Sequence, residues 1–145
     1  MTGKVHAVCI SEKKGTKKRE VPSARLIPGW GIEEDAHAGQ WHRQVSLISL
    51  ADIDTMKAVL PGIKPGDFAE NIIIRELDMG QVGIGNMLYI GDHVILEITQ
   101  IGKECHTGCE IQKLTGRCIM PQKGLFAVVH NGGLIKKEDT VVFCK

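Results

Sequence analysis

The sequence predicts a mainly β fold of the α+β class, built as a single domain over residues 1–145. Three observations lead there. Short runs rich in β-branched and other apolar residues recur along the whole chain: Val5 to Ile10, Val45 to Ile48, Ile72 to Ile74, Asp92 to Gln100, Leu125 to Val129 and Thr140 to Phe143. Each has the length of a strand, and glycine, proline or asparagine punctuates the gaps between them. Only one substantial stretch, Ser49 to Leu60, spaces its apolar residues at helical intervals.

Composition narrows the classes of function. The chain of 145 residues is 43% hydrophobic and 24% charged, the balance of an ordinary globular protein. Lys and Arg number 18 against 17 Asp and Glu, a net charge of +1. That near balance argues against a nucleic-acid partner, which needs a basic footprint. No apolar run approaches the roughly 18 residues of a membrane span. Met1 to His6 lacks the apolar stretch of a signal peptide, so a cytoplasmic location is expected. Thiols stay reduced there, so the five cysteines read as core residues, ligands or nucleophiles rather than disulfides.

The elements follow in order. Val5 to Ile10 is a buried strand, with Cys9 packed as a small hydrophobe. Lys13 to Arg19 carries the one basic run, broken by Gly15 and Thr16, and reads as a solvated hairpin tip leading to a strand near Arg19 to Val21. Gly29-Trp30-Gly31 marks a break. Gly31 to Gln44 then collects Glu33, Glu34, Asp35, His37, Trp41, His42 and Arg43 before the Val45 strand. Dense polar groups on a loop held by a strand suit binding. Asp35-x-His37-x4-His42 has no recognised metal-ligand spacing. A polar pocket wall with Arg43 ready for a phosphate or carboxylate is the better reading.

Ser49 and Asp52 resemble a capping box, and Ile53, Met56, Val59 and Leu60 form the core stripe of a helix stopped by Pro61-Gly62. Asp67, Glu70 and Asn71 gather before the Ile72-Ile73-Ile74 strand, which reads as buried on both faces. They serve either acid–base chemistry or turn and capping hydrogen bonds. Gly83-x-Gly85 lacks a third glycine and a following helix, so it reads as a turn. Asp92 to Gln100 alternates cleanly, with Glu97 toward solvent or a polar partner. Cys109 to Thr115 suggests a helical turn or two ended by Gly116. Asn131-Gly132-Gly133 turns the Leu125 strand back, and Thr140 to Phe143 closes the chain.

Cys105, Cys109 and Cys118 cluster within 14 positions. Three readings stand. Lys103 and His106 flank Cys105, and nearby cations lower a thiol pKa, which makes Cys105 a candidate nucleophile, sulfur carrier or soft-metal ligand. Alternatively the three cysteines hold zinc or an iron–sulfur cluster, although C-x3-C-x8-C matches no strong zinc spacing. The third reading is packing alone.

Three ordered stretches carry a family resemblance. Gly31 to Leu47, with Asp35-Ala36-His37-Ala38-Gly39 and His42-Arg43-Gln44-Val45-Ser46-Leu47, resembles the first motif of the MOSC domain family (molybdenum cofactor sulfurase C-terminal domain). Pro65-Gly66-Asp67-Phe68-Ala69-Glu70-Asn71-Ile72 is similar to the second. Gly85 to Gln100 followed by Cys105 is similar to the third. Two departures stand out. Glu34 occupies a position where the family usually has glycine, and Ile101-Gly102-Lys103-Glu104-Cys105 replaces the usual Pro-Arg-x-Pro-Cys.

The resemblance implies a distorted β-barrel with a few short helices and a pocket for molybdenum cofactor (molybdopterin type) or a small sulfur-bearing ligand. It implies Cys105 as the catalytic or sulfur-carrying thiol. His37, His42 and Arg43 would form the polar wall, with Ser46 and Lys103 from the same motifs. Asp67, Glu70 and Asn71 would shape it, and Arg43 and Arg117 would meet the cofactor's phosphate. The implied partners are a molybdoenzyme or a cofactor-biosynthesis protein. The alternatives are a non-catalytic cofactor carrier, a component of N-hydroxylated compound reduction, or a zinc or iron–sulfur protein ligated by Cys105, Cys109 and Cys118. The family hosts no single reaction, so its fold does not name the chemistry.

Overall fold

A computed structural model of the chain describes residues 1–14, 16–102 and 124–144. Lys103, Cys105, Cys109, Arg117 and Cys118, and the short helix expected over Cys109 to Thr115, lie outside the described residues.

Eleven strands and one α-helix make up the described part. In chain order they are β1 (Thr2–Ile10), β2 (Arg19–Val21), β3 (Ser23–Ile27), β4 (Gly31–Ile32), β5 (Val45–Ser49), α1 (Leu50–Lys57), β6 (Ile72–Arg75), β7 (Met87–Ile90), β8 (Val94–Ile101), β9 (Leu125–Asn131), β10 (Gly133–Lys136) and β11 (Thr140–Cys144). The sheet runs β11-β7-β8-β9-β5-β6-β1, and β11 pairs back onto β1 through Thr2 and Val142. Seven strands therefore close a barrel, which leaves them no free edge. β5 and β6 are parallel and every other barrel pair is antiparallel. A parallel pair needs a crossover, and α1 lies in it. β11 covers β1 only at Thr2 to Lys4; β2 takes over the same edge at Val8 to Ile10. β3, β4 and β10 form a separate small sheet.

Strand periodicity explains two cores. Val45, Leu47, Ile72, Ile74, Leu96, Ile98, Leu125 and Ala127 fill the barrel. Ile48, Ile73 and Phe126 point out of the barrel, where α1 and the following loop cover them with Ile53, Met56, Ile63 and Phe68. This is why Ile72-Ile73-Ile74 is apolar throughout: both of its faces are buried. β1 shows how parity is corrected. Val5 and Val8 are three apart, yet both face the barrel, because the register with β6 shifts between Val5 and Ala7. Cys9 packs in the outer core as expected, and burial pushes its thiol pKa far up, so it stays protonated.

Helix α1 starts as its sequence indicates. Ser49 caps it, its hydroxyl oxygen accepting the Asp52 N–H at 3.1 Å and its hydroxyl donating to the Asp52 carboxylate at 2.9 Å. The helix ends at Lys57, earlier than the stripe suggests. Leu60 still packs on the outer core, but Val59 is exposed, because the turn before Pro61 rotates it away. Gly83 to Gly85 forms a turn as expected, and Met87 to Ile90 adds a barrel strand after it. Two further expectations change. The Gly132 turn does not fold β10 back on β9; β10 crosses to pair with β3. A side chain at Gly132 would sit 2.4 Å from the Leu26 carbonyl oxygen, so this crossing requires glycine. The basic hairpin is not wholly solvated either, since Lys18 is buried.

Candidate functional site

The loop over residues 33–44 is organised around Asp35. Its Oδ1 accepts from the Ser11 N–H at 3.0 Å and from Lys18 Nζ at 2.8 Å. Its Oδ2 accepts from the His37 N–H at 3.0 Å. Lys18 Nζ donates in addition to Ser11 Oγ at 3.0 Å. Both charged side chains are completely buried. Burial draws the Lys18 pKa down, while the adjoining Asp35 carboxylate pulls it back up. Immediately before Asp35, Glu34 adopts a left-handed backbone with φ of 69°. That conformation is natural for the glycine usual at this position, and Glu34 supplies it with strain.

The locked loop presents the next residues at the surface. The Trp41 indole N–H donates to the His37 carbonyl at 2.8 Å, which fixes the ring. His42 Nε2 lies 2.7 Å from Gln100 Oε1, and Gln100 Nε2 donates to the Gly102 carbonyl at 2.6 Å. The second bond orients the amide, so the oxygen facing His42 is an acceptor and His42 Nε2 carries a proton. The Thr99 hydroxyl donates to the His42 carbonyl. Gln44 turns inward, its Oε1 accepting from the Val129 N–H at 3.0 Å. The polar wall is therefore stitched to the end of β8, two residues from where the third motif continues toward Cys105.

Arg43 occupies the centre of this wall. Its guanidinium lies 4.6 Å from the Trp41 ring centroid and 5.7 Å from that of Phe126. Its Nε is buried with no hydrogen-bond partner. Among the described residues no carboxylate approaches it closely enough for an ion pair. A stacked, uncompensated guanidinium suits an anionic ligand.

The remaining described candidates form a second, buried set. The Ser46 N–H donates to Asn71 Oδ1 at 2.9 Å, and Asn71 Nδ2 donates to the Cys9 carbonyl at 3.0 Å. Glu70 is wholly buried, and its two oxygens accept the N–H groups of Gly66 and Phe68, each at 3.0 Å. Burial pushes its pKa up to about 7, against the pull of those donors. Asp67 accepts the Lys64 N–H at 3.0 Å and lies 3.8 Å from Lys17. These residues brace β1, β5 and the turn before β6 against one another.

Sequence reasoning did not single out Lys18 or Gln100. Lys18 is masked by its basic neighbours, and no local pattern marks it as the partner of Asp35. The nearest signal for Gln100 is its place at the end of the Gly85 to Gln100 stretch of the third motif, ahead of Cys105. A cleft of about 400 Å³ opens where β8 ends and β9 begins, lined by Ser49, Asp52, Leu77, Asp78, Ile101 and Leu125. No group of three or more metal-ligating side chains occurs among the described residues. No helix among them is long and apolar enough to cross a membrane.

Comparison with known proteins agrees with this architecture. The family described as the MOSC domain matches residues 34–142. No curated protein matches the chain. Among solved structures the chain is similar to the YuaD protein from Bacillus subtilis, with a TM-score of 0.80 at 18% identity over 97% of this chain and 94% of that one. YiiM from Escherichia coli is similar with a TM-score of 0.71 at 15% identity, covering 100% of this chain and 70% of that one. YiiM from Geobacillus stearothermophilus gives 0.70 at 14% identity, covering 96% and 73%. At these identities the likeness is one of fold.

Proposed function

The chain belongs to the MOSC domain family, and on that premise we propose that it binds molybdenum cofactor, or handles the cofactor's sulfur, with Cys105 as the working thiol. The observation that carries the reading is Arg43, stacked between Trp41 and Phe126 with its Nε unpartnered and no carboxylate beside it. The cofactor is an anionic, phosphate-bearing pterin, and these residues fit such a group. Arg43 would hold the phosphate, with Arg117 as the second arginine expected to meet it. When bound, the cofactor supplies a molybdenum centre with affinity for sulfur ligands.

This chain's own groups do the rest. His42 keeps its proton on Nε2 for Gln100, so in the neutral ring Nδ1 is left to accept a hydrogen bond. Asp35 and Lys18 hold the loop that carries His37, His42 and Arg43. Ser46, Asp67, Glu70 and Asn71 act behind that wall as its frame. Lys103 and His106 flank Cys105 in sequence and favour its thiolate. A cytoplasmic location and a molybdoenzyme or cofactor-biosynthesis partner belong to the same proposal.

Anaerobic purification followed by metal analysis and pterin fluorescence tests it. Molybdenum and pterin should co-purify with the wild-type chain. Cys105→Ala should keep the fold and lose sulfur transfer or cofactor retention, and unchanged behaviour in both assays sinks the assignment of Cys105. Turnover of a persulfide or an N-hydroxylated substrate separates an enzyme from a carrier. Stoichiometric zinc or iron that disappears in Cys109→Ser would instead favour the cluster of Cys105, Cys109 and Cys118 as a metal centre.

A further inference from the structure

We infer that the cleft at the end of β8 is a second ligand site, and that its ligand is a small apolar molecule ending in a primary ammonium group. The inference stands on the lining of the cleft itself and does not depend on the cofactor reading of the Arg43 wall.

At about 400 Å³ the cleft has the size of a small-molecule site. Its floor is apolar: Leu77, Met79, Val82 and Leu125 line it, each at most 8% exposed. Ile101 lines it as well, and this large apolar residue is 49% exposed. Two carboxylates share the same cavity, Asp52 from the first turn of α1 and Asp78 from just before the single helical turn Met79–Gln81. Asp52 accepts the Ser49 hydroxyl at 2.9 Å. Asp78 accepts the Gly80 N–H at 3.0 Å and the Gln81 side-chain amide at 3.1 Å. A carboxylate has room for about four such bonds, so both keep acceptor capacity. Among the described residues neither has a cationic partner, and none that lines the cleft is basic. Asp52 offsets the positive end of α1, which leaves Asp78 the less compensated of the two.

This lining selects the ligand. An anion would face two carboxylates and no cation. A metal ion would find two carboxylates over an apolar floor, too few ligands for a hard cation. A wholly apolar molecule would cover the floor and leave both carboxylates without a partner. An ammonium on an apolar body serves both parts. The body displaces water from the floor, and three N–H donors meet the carboxylate lone pairs. The cleft is thus opposite in charge to the Arg43 wall. Consecutive residues of β8 serve the two places, Gln100 at His42 and Ile101 at the cleft.

Amide and methyl NMR of the full chain, titrated with benzylamine, benzyl alcohol and benzoate, tests the inference, since the three probes share a ring and differ in charge. Shifts should concentrate at Leu77, Val82, Ile101 and Leu125, with benzylamine binding tightest and benzoate weakest. Asp78→Asn keeps the oxygen that accepts the Gly80 N–H and removes the charge. It should weaken benzylamine about threefold, the size of an exposed ion pair, and leave benzyl alcohol unchanged. Ala51→Trp, at an exposed position on the lining, should block benzylamine and benzyl alcohol alike. Absence of shifts at those four residues overturns the site. Benzoate binding as tightly as benzylamine overturns the ligand class. An equal loss of amine and alcohol in Asp78→Asn reduces Asp78 to its capping bond and overturns the class as well. Benzylamine affinity reads this cleft, whereas molybdenum and pterin content reads the Arg43 wall, so the failure of one is told from the failure of the other.

Discussion

The loop around Asp35 and the turn around Glu70 both press against Lys18, and each buries a carboxylate by a different device. Asp35 takes the Lys18 ammonium at 2.8 Å along with two backbone N–H donors. Glu70 takes two backbone N–H donors and no cation, and its pKa is pushed up to about 7. Lys18 hydrogen-bonds the second turn through its backbone, donating its N–H to the Gly66 carbonyl at 2.8 Å. Gly66 itself cannot carry a side chain, since a Cβ there would meet the Lys18 carbonyl oxygen at 2.0 Å. Backbone dipoles alone leave a buried carboxyl close to neutral, whereas a buried ammonium compensates the charge outright. The compensated loop carries the surface wall of the candidate site; the uncompensated one is part of its frame.

The sharpest way to break this contrast is Lys18→Met. It leaves Asp35 buried without its cation and should destabilise the fold by about 3–5 kcal/mol in urea unfolding. A loss under about 1 kcal/mol would mean that the two N–H donors suffice for Asp35 as well, and the contrast would vanish.

Glu70→Gln should have a smaller effect, about 1–3 kcal/mol, because one of two acceptors survives in the amide. Its pH dependence is more telling. The folded pKa of Glu70 is raised, so its contribution to stability is fully present below the ordinary carboxylate value. That contribution falls as pH rises toward about 7 and is level above it. The stability difference between wild type and Glu70→Gln should follow that curve. A difference independent of pH between 4 and 8 would show that Glu70 is held charged like Asp35.

The smallest effect belongs to Glu34, whose φ of 69° strains the turn into Asp35. Glu34→Gly should stabilise the chain by up to about 1 kcal/mol, the left-handed penalty being partly offset by the greater freedom of glycine when unfolded. A loss of stability would show that the Glu34 side chain, rather than its backbone, serves the loop.

Much of the barrel was legible because strand faces follow a local period. Val94, Leu96 and Ile98 alternate with Ile95, Glu97 and Thr99, and all three of the first set lie in the core. Ile72-Ile73-Ile74 announced burial on both faces. Ser49 announced the start of α1. The strands missed, Met87 to Ile90 and the short pieces of the small sheet, sit among glycines and charges that hide their period. At the site, the residue types of the first motif were readable, and Arg43 in particular. Its uncompensated charge was not, because an absent partner leaves no mark in a sequence.

The sequence by itself determined the mainly β class, the apolar faces of the strands, the cap of the helix and the family motifs. Each of those depends on residues a few positions apart. Tertiary structure decided that the sheet closes through β1 and β11, that β10 leaves β9 for β3, and that Lys18 belongs to Asp35. It also decided that Gln44 reaches Val129 across 85 positions. Such partners are chosen by which groups the closed barrel brings together away from water, where an unpaired charge or N–H is too costly to leave. No local pattern carries that information.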